Sequence, residues 1–259
     1  MRRVKRESAA RLRAVLPLLT VVLLGACATV PPGQRSTLAE WRPSPNHDIR
    51  KPVIIVLHYT VEDTLEGSRK ILSDDKRANQ VSSHYLIDRD GRILQLVPDN
   101  LRAWHAGDGR WGTIPDLNDA SIGIEIVNTG SEVFPDAQIA AVIGLLDDIC
   151  KRHGIPKSQV IGHGDLAPGR KIDPGVQFPW KRLADAGFGQ WPQGEWVDPP
   201  AGFDGWIALR LMGYDIRDKS AALRAFRIHY RARDDGKGIA PEFQSKDLRI
   251  LYALGRQGG

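Results

Sequence analysis

Residues 53–57 form an unbroken apolar run, Val53-Ile54-Ile55-Val56-Leu57, bounded by Pro52. Such a run suits a strand buried on both faces, which requires helices above and below its sheet. Residues 64–74 carry helical spacing, with Thr64 as a candidate N-cap. Residues 83–87 and 92–97 flank Asp88-Arg89-Asp90-Gly91, a hairpin signal in which Gly91 is free to take a positive φ. Residues 121–127 alternate, with Ile122, Ile124 and Ile126 on one face and Gly123 and Glu125 on the other. From Pro135 a long amphipathic helix runs through Ile139, Val142, Leu146 and Ile149 to Gly154, with Pro156 just beyond. Residues 159–162 then form a short strand leading into His163. Strands alternating with helices, plus one hairpin, predict an α/β fold: a mixed central sheet flanked by helices.

Beyond Trp191-Pro192 and Pro199-Pro200 the pattern changes. Residues 203–212, 220–230 and 242–253 are helical, punctuated by Gly213, Asp215 and Asp234-Asp235-Gly236. They predict a small C-terminal three-helix domain over 201–259, a size that is marginal on its own.

Charge changes the picture only at the N-terminus. The chain has 36 Lys and Arg against 31 Asp and Glu, but residues 1–26 hold six of those cations and one of the acids. The rest is balanced, which removes nucleic acid as an expected partner. Residues 1–26 read as a signal peptide: a basic stretch, then an apolar run from 15 to 24 that is short of the ~20 residues a spanning helix needs. Leu24-Gly25-Ala26-Cys27 resembles the lipobox of bacterial lipoproteins, with plain secretory cleavage nearby as the alternative. Acylation of Cys27 would anchor the protein in a membrane. Residues 27–46, rich in Pro, Ser and Gly, read as a tether. With Cys27 assigned, Cys150 stands alone at helical spacing with Ile139, Ile143 and Leu146 and reads as a small buried apolar residue.

Three candidate metal ligands fall at strand ends or on adjoining loops. His58 follows the buried run, while His163 and Asp173 lie ten residues apart. Two imidazoles and a carboxylate suit Zn²⁺ and leave a fourth position for water. No short-range signature such as His-Glu-x-x-His is present, so spacing alone does not separate these ligands from ordinary histidines. Glu125 and Lys171 are residue types suited to hydrolysis, as proton carrier and as oxyanion stabiliser. By pattern alone, Glu125 is equally a solvent-facing strand residue, and Lys171 a loop cation paired with Asp165 or Asp173.

At these residues the chain resembles the zinc-dependent N-acetylmuramoyl-L-alanine amidases, whose fold is shared with phage lysozyme-type amidases and peptidoglycan recognition proteins. Within that group it is similar to lipoprotein amidases of Gram-negative outer membranes. The similar stretches are 54–60, 81–87, Arg102-Ala103-Trp104-His105-Ala106-Gly107, 121–126, and 162–175, within a domain over 47–190. The resemblance implies His58, His163 and Asp173 as zinc ligands, Glu125 as general acid/base and Lys171 as transition-state stabiliser. His105 and Trp104 look like parts of the substrate cleft, and His84 like structural support. The implied reaction is hydrolysis of the amide between N-acetylmuramic acid and L-alanine in peptidoglycan or its fragments. Ala28, following the cysteine, resembles lipoproteins sorted to the outer membrane and facing the periplasm. The chain departs from similar proteins at Asp108-Gly109-Arg110-Trp111, where serine often precedes the tryptophan; this loop is expected to border the cleft. The segment 203–254 resembles a peptidoglycan-binding helical domain, with a plain packing appendage as the alternative. A monomer is expected. A recognition module without catalysis uses the same fold, and both histidines, Asp173 and Glu125 argue against it.

Overall fold

In the computed structural model, which describes residues 36–49 and 51–257, the run 53–57 becomes the inner part of a six-stranded sheet. The strands in chain order are β1 (Glu40–Trp41), β2 (His47–Ile49), β3 (Ile54–Tyr59), β4 (Tyr85–Ile87), β5 (Ile93–Gln95), β6 (Leu101–Ala103), β7 (Ser121–Ile126) and β8 (Val160–Gly162). The helices are α1 (Leu65–Leu72), α2 (Leu117–Ala120), α3 (Asp136–His153), α4 (His163–Leu166), α5 (Trp180–Asp185), α6 (Gly205–Met212), α7 (Lys219–Arg231) and α8 (Ser245–Gly255). The sheet order is β1-β5-β4-β7-β3-β8, and β2 pairs with β6 as a separate ribbon. Neighbours from β4 to β8 are parallel, whereas β5 runs antiparallel to β4.

The β3 run is apolar throughout because both its faces are covered. Ile55 and Leu57 pack with Ile122, Ile124, Ile126, Ile139 and Val142 in the core shared with α3. Ile54 and Val56 pack on the opposite side with Ala106, Leu117, Ile161 and Leu166. Strand alternation places His58 on this second side. Register places Ser121, Gly123 and Glu125 beside Ile54, Val56 and His58, and so on the same face. The expected mixed sheet with covering helices is therefore the observed architecture.

Local chemistry sets the element ends. The Thr64 hydroxyl accepts from the Gly67 N–H at 3.1 Å, capping α1. Gly91 takes φ +90° in the turn between β4 and β5, and Gly154 ends α3 at φ +66°. Cys150 is buried in the α3 core.

The signal peptide at 1–26 and Cys27 lie outside the described residues. The tether expected over 27–46 is described from residue 36 onward, and there it is packed. Glu40–Trp41 pair with Leu94 and Gln95 of β5, and the Ser44 hydroxyl, itself buried, donates to the Leu72 carbonyl at 3.0 Å. A two-residue edge strand is too short to leave a period in the sequence. The C-terminal helices have their own core around Leu209, Tyr214, Leu223, Phe226 and Leu251.

A buried polar cluster ties α3 to the hairpin. Asp99, fully buried, accepts from Tyr85 Oη at 2.7 Å, from Gln95 Nε2 at 3.0 Å, from His153 Nε2 at 2.7 Å and from Arg152. Burial works to raise its pKa, but the His153 bond and the Arg152 charge outweigh it and hold the carboxyl below its ordinary value. With the folded pKa below the unfolded ~3.9, this stabilisation is whole above that pH and is lost as pH falls through the folded value. Asp99→Asn is expected to cost about 1.5–3 kcal/mol at neutral pH, because Arg152 keeps Asp148 at 2.9 Å but loses its fully buried carboxylate partner. Urea unfolding checks this: the gap between variant and parent should hold above about pH 4 and narrow progressively as pH falls further.

Candidate functional site

His58 is the penultimate residue of β3, His163 opens α4 directly after β8, and Asp173 closes the loop that follows. Parallel pairing of β3 with β8 brings the two strand ends together. The Gly164 N–H donates to the Asp173 carbonyl at 2.8 Å, closing the loop so that residues 163 and 173 face each other. His58 Nδ1 lies 2.9 Å from His163 Nδ1 and 3.1 Å from Asp173 Oδ2, and His163 Nδ1 lies 3.0 Å from the same oxygen. All three residues are buried. The three expected ligands thus form one triangle.

Outer hydrogen bonds decide which ring nitrogens carry protons. His163 Nε2 stands 2.8 Å from the Ala106 carbonyl, which only accepts, so Nε2 holds the proton and Nδ1 is bare. For His58 the chain is longer. The Ser121 hydroxyl donates to the Leu117 carbonyl, so its oxygen accepts from His105 Nε2 at 3.3 Å. His105 Nδ1 is then an acceptor, and takes the His58 Nε2 proton at 3.0 Å. His58 Nδ1 is left bare as well.

Burial pushes the His58 pKa down to about 4, so the ring is neutral at pH 7. The triangle is therefore three lone-pair donors with no hydrogen between them, an arrangement that calls for a cation. Zn²⁺ bound at ~2.0–2.1 Å in a tetrahedron sets its ligands about 3.3 Å apart, close to the observed separations. The donor set fits zinc.

The triangle forms one end of a cavity of about 480 Å³, with Glu125, Lys171, Trp104 and Tyr59 in its lining. Glu125 is half-buried, and its Oε2 has no hydrogen-bond partner. Burial, and then the Asp173 charge, push its pKa well above the ordinary value, with Lys171 opposing. A carboxyl held in this way keeps a proton more readily than a solvated one, which suits a proton carrier. Lys171 is exposed at the cavity rim.

Trp104 and His105 both line the cavity, but they are differently placed. Trp104 is half-buried, whereas the His105 ring lies over Gly123, where a Cβ would come within 2.4 Å of it. The space beside Glu125 that Gly123 leaves is thus filled by His105, which orients His58. His84 is fully buried; its Nδ1 accepts from the Gly123 N–H at 3.0 Å and its Nε2 donates to the Leu101 carbonyl at 2.9 Å, a bracing role without metal contact. The loop 108–111 turns from the cleft toward the C-terminal helices, where Trp111 packs on Tyr214 with ring centroids 5.1 Å apart.

Ser121, Asn118 and Arg170 escaped the sequence reading. Asn118 Oδ1 accepts from the N–H groups of His105 and Ala106, and Arg170 donates to the Ala106 carbonyl at 2.6 Å. The contacts of Asn118 and Arg170 reach 12 to 64 residues along the chain, and Ser121 meets His105 16 residues away, separations for which no sequence period exists.

Residues 48–176 match the N-acetylmuramoyl-L-alanine amidase family. The chain is 38% identical over 210 residues to the N-acetylmuramoyl-L-alanine amidase AmiD of Escherichia coli, covering 69% of this chain and 74% of that protein. Its structure is similar to that of AmiD in complex with the substrate anhydro-N-acetylmuramic acid-L-Ala-D-gamma-Glu-L-Lys, at TM-score 0.68 and 34% identity, over 83% of this chain and 93% of the other. It is also similar to AMPDH3 of Pseudomonas aeruginosa in complex with anhydromuramic pentapeptide, at TM-score 0.67 and 32% identity, over 86% and 98% of the two chains.

Proposed function

The chain belongs to the N-acetylmuramoyl-L-alanine amidase family, and we propose that its cavity takes muropeptides, 1,6-anhydro forms included, with Glu125 and Lys171 as its catalytic residues. The reaction is zinc-dependent hydrolysis of the amide joining N-acetylmuramic acid to L-alanine. His58 Nδ1, His163 Nδ1 and Asp173 Oδ2 would hold the ion. When bound, zinc supplies Lewis acidity, which polarises a carbonyl and lowers the pKa of water from ~15.7 to ~7.

The protein's own groups handle protons and charge. Glu125 takes a proton from the attacking water and returns it to the departing alanine nitrogen. Lys171 faces the negative charge that grows on the lactyl carbonyl oxygen. Trp104 offers the half-buried ring on which a sugar or peptide rests. The observation that carries this reading is the convergence of three unprotonated donors beside a carboxyl with an unpartnered oxygen, in one cavity.

A lipid anchor on Cys27 at the outer membrane, facing the periplasm, completes the proposal, supported by the lipobox-like Leu24-Gly25-Ala26-Cys27. Among the described residues no helix is long and apolar enough to cross a membrane. Mass spectrometry of digests of anhydro-muropeptide and of intact cell wall tests the reaction. Free stem peptide beginning at L-alanine is the expected product; cleavage at any other bond sinks the proposal.

A further inference from the structure

Asp165 is a buried carboxylate in α4, two residues after the zinc ligand His163, and nothing in the amidase reading uses it. It accepts three hydrogen bonds. The Gly162 N–H donates to its Oδ2 at 2.8 Å, within the catalytic unit. The other two donors come from the C-terminal unit: Tyr214 Oη, just after α6, to Oδ1 at 2.5 Å, and His229 Nδ1 of α7 to Oδ2 at 2.7 Å.

Both donors are buried and held by packing. The His229 ring stacks between Trp180 and Tyr230, with centroids at 3.8 and 4.2 Å. Tyr214 packs edge-on against Trp111, and the Gly112 N–H donates to the Gly213 carbonyl at 2.7 Å beside it. A buried carboxylate is tolerated only when its oxygens are satisfied. The catalytic unit supplies one donor out of three.

We infer that the C-terminal helices are a working part of the metal centre, in which Tyr214 and His229 are positioning residues that clamp Asp165 and thereby hold the turn carrying His163. This rests on the zinc-amidase reading. With the clamp in place, α4 stays closed over β8 and His163 Nδ1 stays aimed at Asp173. Without it, the Asp165 carboxylate regains its hydration only by lifting α4 from the helices, which carries His163 out of the triangle. The C-terminal unit also reaches the cavity itself, since Arg224 of α7 and Lys237 of the loop after it are among the lining residues.

The full chain carrying Tyr214→Phe and His229→Phe keeps the aromatic packing but removes both donors. Its zinc affinity, measured by competition with a chromophoric chelator well below the unfolding temperature, is expected to fall ~10–100-fold, the range for losing a partner that orients a ligand. A merely structural role would lower the melting temperature of the zinc-free protein and leave zinc affinity unchanged; that result overturns the clamp. Should the double variant fail to fold, Tyr214→Phe alone is measured in the same way, with the same two outcomes. Absence of stoichiometric zinc in the parent protein would instead overturn the amidase reading beneath it.

Discussion

Replacing Glu125 by alanine is expected to slow release of stem peptide about 10²–10⁴-fold, the usual worth of a positioned proton carrier, while zinc content stays at one per chain. The two halves of this expectation have separate causes. Glu125 is paired in register with His58, yet its side chain makes no hydrogen bond to any of the three ligands. The ligands are held instead by Ser121, His105 and the Ala106 carbonyl, which the substitution does not touch. The Oε2 atom is buried without a partner, so its removal also ends an unsatisfied desolvation, and the melting temperature should hold or rise. Glu125→Gln keeps the shape and loses the proton capacity, and it should be as slow as the alanine variant. Steady-state rates and metal analysis on the same preparations check this. Full turnover in either variant removes Glu125 from the mechanism.

Asp173→Asn is expected to abolish turnover and to change stability in opposite directions with and without zinc. In the parent, Nδ1 of His58, Nδ1 of His163 and Oδ2 of Asp173 are three lone-pair donors about 3 Å apart. Zinc relieves that repulsion, and at a free concentration ~1,000 times its Kd it adds about 4 kcal/mol to stability. An asparagine amide can place N–H groups where the carboxylate offered only oxygen, satisfying the bare imidazole nitrogens. The zinc-free variant should therefore melt at or above the zinc-free parent, whereas with zinc the parent should be the more stable of the two. Thermal scans with and without a chelator measure both. A variant that melts below the parent in both conditions would show that the triangle is not starved of protons as its outer hydrogen bonds require.

Much of the architecture was legible because it is written in local periods. The β3 run is apolar at every position since two covering layers leave no solvent face, and the alternation of residues 121–127 reports one core-facing side of β7. Gly91 and Gly154 mark the turn and helix end where a positive φ is needed. The three converging candidate ligands were legible through family resemblance rather than through spacing, because His58 and Asp173 are 115 residues apart and share no period. Short elements such as β1 and α4 left too little pattern to read, and a tether was expected where β1 and Ser44 pack.

What the chain determined by itself is therefore which segments are buried, where they end and which residue types are available for chemistry, since each follows from side chains a few positions apart. Only the folded molecule decided which nitrogen of each imidazole is bare, that His105 fills the space over Gly123, and that Tyr214 and His229 satisfy Asp165. These are pairings of buried polar groups between distant segments. Such a pairing is set by strand register and helix docking, and it exists in no local stretch of the sequence.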